Sequence, residues 1–212
     1  MNIIPAIIGK DFNEVEEKAL SVKNFTTWVH LDIMDGLFTP TESWSYFDIK
    51  KGQAKDLKVE VHLMTRHPLR ILSKWIEAGV DRVMVHYEST DVRTLANILQ
   101  ELNDSEVEAG IVLEYETPIS VLDQFIDQLD VVQLMGIAHI GFYGHPLEYG
   151  IYDKVKSLRA KYPGVTISVD GGVNLKNAEK LMKAGADNLV IGSAIFRSEN
   201  IEETIKNFKN IK

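Results

Sequence analysis

The sequence predicts a single (β/α)8 TIM barrel, with eight parallel strands inside and helices outside, and three observations lead there. Short apolar, β-branched runs alternate with longer helix-period stretches from end to end. Most of those runs lack strict apolar–polar alternation, as strands covered on both faces do. Eight repeats of roughly 25 residues also suit a small closed barrel. Strict β–α alternation calls for a parallel sheet with right-handed crossovers. A doubly wound open sheet is the other architecture it permits. No linker, low-complexity stretch or charge run interrupts residues 1–212, which are read as one domain.

The strands are expected at 3–8 (IIPAII), 28–34 (WVHLDIM), 58–64 (KVEVHLM), 82–87 (RVMVHY), 109–114 (AGIVLE), 131–136 (VVQLMG), 166–170 (TISVD) and 188–193 (NLVIGS). Helices are expected at 12–24, 46–52, 68–79, 91–103, 118–128, 147–161, 174–184 and 200–209. Asp91 stands where an N-cap belongs, and Thr117-Pro118 puts a proline at a helix opening. Ala78-Gly79-Val80-Asp81 and Ala184-Gly185-Ala186-Asp187 end two helices on glycine just before a strand. The segment at 46–52 follows a long loop, LFTPTESWS, that can lie over the strand ends.

Composition narrows the function. The chain has no cysteine, which rules out disulfides and thiol catalysis and leaves His, Asp and Glu to hold any metal. Its net charge of −8 disfavours non-specific nucleic-acid binding. No apolar run approaches the ~20 residues needed to span a bilayer. The N-terminus shows no basic segment ahead of a long apolar stretch, so no secretory signal is read and a cytoplasmic setting is expected.

Active sites of such barrels lie at the C-terminal ends of the strands. The polar residues there are His30 and Asp32, His62, His86 and Glu88, Asp170-Gly171-Gly172, and Gly192-Ser193. His30 and Asp32 are two apart and share a face. In a closed barrel His30, Asp32, His62 and Asp170 can converge, as a mixed nitrogen and oxygen set suited to one divalent ion, Zn²⁺, Mn²⁺ or Fe²⁺. Taken singly, each His reads better as a hydrogen-bonded polar residue at the barrel mouth, a reading that weakens for the four together. A shared cation would satisfy the pair on the second strand together. The glycines after strands seven and eight suit a phosphate, held by backbone N–H groups. Met34, Met64 and Met135 sit at or just past strand ends. They read by default as core filler, and around a reacting carbon they would exclude water.

WVHLDIMDG at 28–36, VEVHLM at 59–64, VHYE at 85–88, GFYG at 141–144, VDGGV at 169–173 and ADNLVIGSAIF at 186–196 resemble the ribulose-phosphate 3-epimerase family in order and spacing. The resemblance implies that His30, Asp32, His62 and Asp170 are metal ligands and that Asp32 and Asp170 are also the acid/base pair. It implies that Met34, Met64 and Met135 line the reacting centre. It places Gly141, Gly144, Gly171, Gly172, Gly192 and Ser193 on or beside the loops that hold the substrate phosphate. It also implies a sugar-phosphate substrate, D-ribulose 5-phosphate first, and a homo-oligomer.

The match departs from the family in the loops. Gly9 replaces a serine, Leu37 a histidine, Thr41 an asparagine and Tyr143 a glycine. Glu114 and Tyr115 are placed near the rim, and His139 and His145 flank the loop after strand six. These changes spare the expected metal and acid/base positions. They keep open another ketose phosphate, such as a hexulose 6-phosphate, or an idle relative that only binds a phosphometabolite.

Overall fold

The computed structural model describes residues 2–43, 52–141 and 144–211. Eight parallel strands follow one another in sequence order: β1 (Asn2–Ile7), β2 (Trp28–Met34), β3 (Lys58–Met64), β4 (Arg82–His86), β5 (Glu108–Leu113), β6 (Val131–Met135), β7 (Thr166–Asp170) and β8 (Asn188–Ile191). β8 pairs back onto β1 and closes the barrel, which excludes the open sheet. Outside it run α1 (Phe12–Val22), α2 (Leu69–Glu77), α3 (Val92–Asp104), α4 (Ile151–Lys161), α5 (Ala178–Ala184), α6 (Ser193–Phe196) and α7 (Ile201–Lys209).

The near-continuous apolar strands conceal two environments. In β2, Val29, Leu31 and Ile33 join the large core shared with the helices, whereas His30, Asp32 and Met34 alternate with them toward the barrel axis. β3 repeats this with Val59, Val61 and Leu63 outside and Glu60, His62 and Met64 inside. The interior holds its own apolar clusters, Met84, Val112, Val131, Met135 and Ile137 in one and Ile4, Ala6, Trp28 and Val190 in another. Gly110 makes room for Met84 there, since a Cβ on Gly110 would lie 2.3 Å from the Met84 sulfur. Parallel register sets Asp32 beside His62, Met34 beside Met64, and Met135 beside Asp170.

Helix boundaries follow local chemistry. The Asp91 carboxylate accepts from the N–H groups of Arg93 and Thr94 and starts α3, which buries Leu95, Ile98, Leu99 and Leu102 at helical spacing. Gly185 ends α5 at φ +118°, in the left-handed region where glycine carries no steric penalty.

Three expected helices come out differently. The segment at 118–128 forms two 3-10 turns, Ile119–Gln124 and Ile126–Gln128. Pro118 is extended, and Ile119, Leu122 and Phe125 recur every third residue, the repeat of a 3-10 helix. α4 starts at Ile151 and not at 147, because the backbone before it packs on Gly172 and the Glu148 N–H donates to the Gly136 carbonyl. α5 starts at Ala178 and not at 174, since Asn174 and Asn177 form a turn and both side-chain amides donate to the Gly172 carbonyl. The turn expected after Gly192 is the single helical turn α6. The helix expected at 46–52 lies, but for Gly52, outside the described residues, as does Tyr143. Among the described residues no helix is long and apolar enough to cross a membrane.

Candidate active site

Four side chains that are far apart in sequence meet at the C-terminal end of the barrel. His30 Nε2 lies 3.2 Å from Asp32 Oδ1, and His62 Nδ1 lies 3.0 Å from the same oxygen. The two ring nitrogens are 3.2 Å apart. Asp170 Oδ2 reaches within 3.9 Å of His30 Nε2 and 3.6 Å of His62 Nδ1. One ligand atom from each of the four lies within 4.8 Å of every other. Two imidazole nitrogens and two carboxylate oxygens turned onto one point form a donor set that fits a divalent transition-metal ion.

Both histidines are fully buried, so each outer ring nitrogen needs a partner. His30 Nδ1 sits 2.7 Å from Glu60 Oε1, and the Arg82 guanidinium binds the other Glu60 oxygen at 2.5 Å. Arg82 also binds Glu108 and lies 4.3 Å over the Trp28 ring. His62 Nε2 sits 2.8 Å from His86 Nε2.

The two carboxyls are driven apart electrostatically. Burial opposes the Asp32 charge, but the His30 and His62 rings outweigh it and hold Asp32 well below the usual carboxylate range. Burial and then the Asp32 charge push Asp170 up to about 6. Burial disfavours the His30 imidazolium, yet the Asp32 and Glu60 carboxylates outweigh that and raise the ring well above its ordinary value. Gln133, which is also buried, donates to Asp170 Oδ2 at 3.2 Å.

An open cleft stands over the cluster. Asp32, Asp170, Met64 and Met135 form its inner wall, and Gly141, Gly144, Gly171, Gly172, Gly192 and Ser193 edge its far side together with His145. This arrangement offers a charged centre beside a glycine-edged recess.

Residues 2–196 match the family model described as the ribulose-phosphate 3 epimerase family. The chain belongs to the ribulose-phosphate 3-epimerase family. It is therefore an isomerase of the epimerase kind. It is 31% identical over 219 residues to the ribulose-phosphate 3-epimerase of Bacillus subtilis, with all of both chains covered. It is 33% identical to the chloroplastic ribulose-5-phosphate-3-epimerase of Arabidopsis thaliana, over 99% of this chain and 76% of that one. The fold is also that of 3-hexulose-6-phosphate synthase from Salmonella typhimurium (TM-score 0.73, 15% identity, 100% and 98% covered). The tryptophan synthase α-subunit of Pyrococcus furiosus shares it too (TM-score 0.76, 15% identity, 99% and 97% covered).

Within this epimerase-family barrel, His30, Asp32, His62 and Asp170 come together as the sequence suggests, and two of the three methionines reach the cleft. Met34 is buried beside it, its sulfur 3.0 Å from the Thr41 hydroxyl oxygen, and that hydroxyl donates to the Gly141 carbonyl at 2.8 Å. Among the departures from the family pattern, Gly9 packs on α1, where a Cβ would meet Val15 at 2.4 Å. Leu37 points to solvent at 72% exposure. Glu114 lies away from the four-residue cluster, beside His86 and Glu88, and burial followed by the Glu88 charge raises its pKa. Sequence reasoning missed Glu60, Arg82, Glu108 and Gln133. Their signal was polar residues at the inward parity of apolar strands, Glu60 being two before His62.

Gly172 sits at φ +72°, and a Cβ there would lie 2.5 Å from the backbone nitrogen of Leu147. Gly172→Ala is expected to lower stability by about 1–3 kcal/mol, the usual scale of stored backbone strain. It should also raise KM for a phosphorylated sugar more than it lowers kcat. Urea unfolding and steady-state kinetics would check both, and an unchanged KM would remove Gly172 from the binding recess.

Proposed function

We propose that this chain interconverts D-ribulose 5-phosphate and D-xylulose 5-phosphate by carrying the C3 proton between Asp32 and Asp170. The observation behind this reading is that the Asp32 and Asp170 carboxyls converge with the two buried imidazoles of His30 and His62 under a glycine-edged cleft. Inverting a carbon beside a ketone requires a proton to leave one face and another to arrive on the opposite face. Asp32 and Asp170 come from β2 and β7, with β1 and β8 between them, so they can address a flat intermediate from two sides. An ionised carboxylate serves as base and a protonated one as acid, and the roles exchange with direction.

His30, Asp32, His62 and Asp170 would hold one divalent ion, Zn²⁺, Mn²⁺ or Fe²⁺, which when bound polarises the ketone and the neighbouring oxygen and acidifies the C3 proton. Met64 and Met135 wall the reacting carbon with groups that neither donate nor accept protons at neutral pH, which keeps solvent protons away. The edge formed by Gly141, Gly144, Gly171, Gly172, Gly192 and Ser193 receives the phosphate through backbone N–H groups, so the chain's net negative charge is no obstacle.

The test is proton NMR of D-ribulose 5-phosphate in D₂O with metal-reconstituted protein. Loss of the C3 proton signal with appearance of xylulose 5-phosphate is the expected result. Bound metal with no exchange would reject this substrate and turn attention to a longer ketose phosphate.

A further inference from the structure

His62 presents one ring nitrogen to the four-residue cluster and the other to a second histidine. Nδ1 faces Asp32 and Asp170, while Nε2 lies 2.8 Å from Nε2 of His86, in a ring whose plane is tilted 26° from its own. Both rings are fully buried. On its far side, His86 Nδ1 lies 3.3 Å from Glu88 Oε2. The other oxygen of Glu88 accepts from the Glu114 N–H at 2.9 Å and from the Thr117 hydroxyl. The line therefore runs from the cluster to a carboxylate pinned at the barrel rim.

Counting protons gives this line a direction. A neutral imidazole carries one N–H, and a nitrogen that binds a cation cannot keep it. With Nδ1 given to a metal, His62 must carry its proton on Nε2. His86 Nε2 must then be bare to accept it, which puts the His86 proton on Nδ1, aimed at Glu88. Glu88, ionised, can only accept, and its two other donors prevent it from turning away. We propose that His86 and Glu88 are positioning residues that fix His62 in the one tautomer able to bind the ion. This rests on the reading of His62 as a metal ligand. The fully buried Glu60 does the same for His30 directly, because His30 offers Nε2 to the centre and keeps Nδ1 for the carboxylate.

The same count decides another question. His86, Glu88 and Glu114 also lie close enough to hold a cation. A cation on His86 Nδ1 would move that ring's proton to Nε2, pointing it at His62, whose own proton would then sit on Nδ1 and face the centre. With neutral rings the two clusters cannot both be filled. Lys154 already stands on the rim side, donating to the carbonyls of Glu114 and Tyr115.

The test uses the full chain loaded with Zn²⁺ and labelled with ¹⁵N histidine. Two-bond proton–nitrogen correlation spectra should show His62 protonated on Nε2 and His86 protonated on Nδ1 alone. A His86 proton on Nε2 overturns the proposal, and this measurement needs no variant. In competition with a chromophoric chelator, Glu88→Leu should weaken Zn²⁺ binding by roughly 10–100-fold, the usual effect of removing such an outer partner. Glu114→Gln should leave it unchanged. Wild-type affinity in a folded Glu88→Leu, or an equal loss in Glu114→Gln, would also overturn the proposal. An unmodified protein that binds Zn²⁺ with these tautomers yet fails to epimerise supports the proposal and rejects the substrate reading; one that binds no Zn²⁺ overturns the proposal and leaves the substrate reading to the proton-exchange assay.

Discussion

Asp170→Asn is expected to lower turnover of the pentulose phosphate by about 10³-fold or more at saturating metal, the scale on which a positioned acid or base acts. Asp32→Asn should do the same, and both variants should stay folded, since each swap is isosteric and lies at a strand end that faces the cleft. Isotope exchange separates the two. If each carboxyl serves one face of the substrate, a variant that lacks one of them retains a base for only one epimer. In D₂O each variant should therefore still remove the C3 proton from one of the two pentulose phosphates while failing to produce the other. The two variants should differ in which epimer they exchange. Exchange of both epimers by either variant, at rates near wild type, would mean that the proton is carried elsewhere. Because the Asn side chain is a poor ligand, metal content has to be measured beside the rate.

Arg82→Met should cost about 3–5 kcal/mol of stability, the range seen when one partner of a buried ion pair is removed. Glu60 is fully buried and Arg82 is 6% exposed, so the change strands a carboxylate inside the barrel with His30 as its remaining partner. Burial works against the Glu60 charge, but His30 and Arg82 outweigh it and hold the group below its ordinary value of 4.5. For a carboxyl held low in the folded state, the stabilisation is present above the unfolded-state value and is lost as pH falls through the folded one. The gap between wild type and Arg82→Met should therefore be widest near neutrality and close in acid. Adding Glu60→Gln to Arg82→Met should recover part of the loss. Urea unfolding across pH would read all of this. A loss under about 1 kcal/mol, the size of an exposed pair, would mean that water reaches the Glu60 carboxylate.

The strands were legible because they are short, β-branched and bounded by turn residues, and β2, β3 and β7 match their expected limits to the residue. The four-residue cluster was legible for a related reason: parity along a strand and position at its C-terminal end fix where a side chain points once the barrel closes. What escaped was set by partners distant in sequence. Pro118 followed by apolar residues resembles a helix start, and only the packing of Leu122 and Phe125 selects the tighter 3-10 repeat. Residues 147–150 and 174–177 have helical composition, but contacts with Gly172 hold them in the loops that edge the cleft. Glu60, Arg82 and Glu108 come from three successive strands, and nothing local marks their charges as mutual partners before the register joins them. Gly9 and Leu37 stood out against the family pattern, yet one packs on a helix and the other faces water.

Gly110 matters for traffic as well as for packing. By yielding its space to Met84 it lets that side chain pack, fully buried, with Val112 and Val131 on one side of the barrel interior. Among the described residues the strand ends that carry the cluster offer the open side, so an ion and a sugar bound as proposed would share one doorway, and whatever lay nearer the door would leave first. A sugar seated over the ion would cork it in place, and an ion arriving late would find its path closed. Assembly in a fixed order, metal before substrate, then needs no moving lid. It follows from a packed interior, in which Gly110 gives Met84 its room.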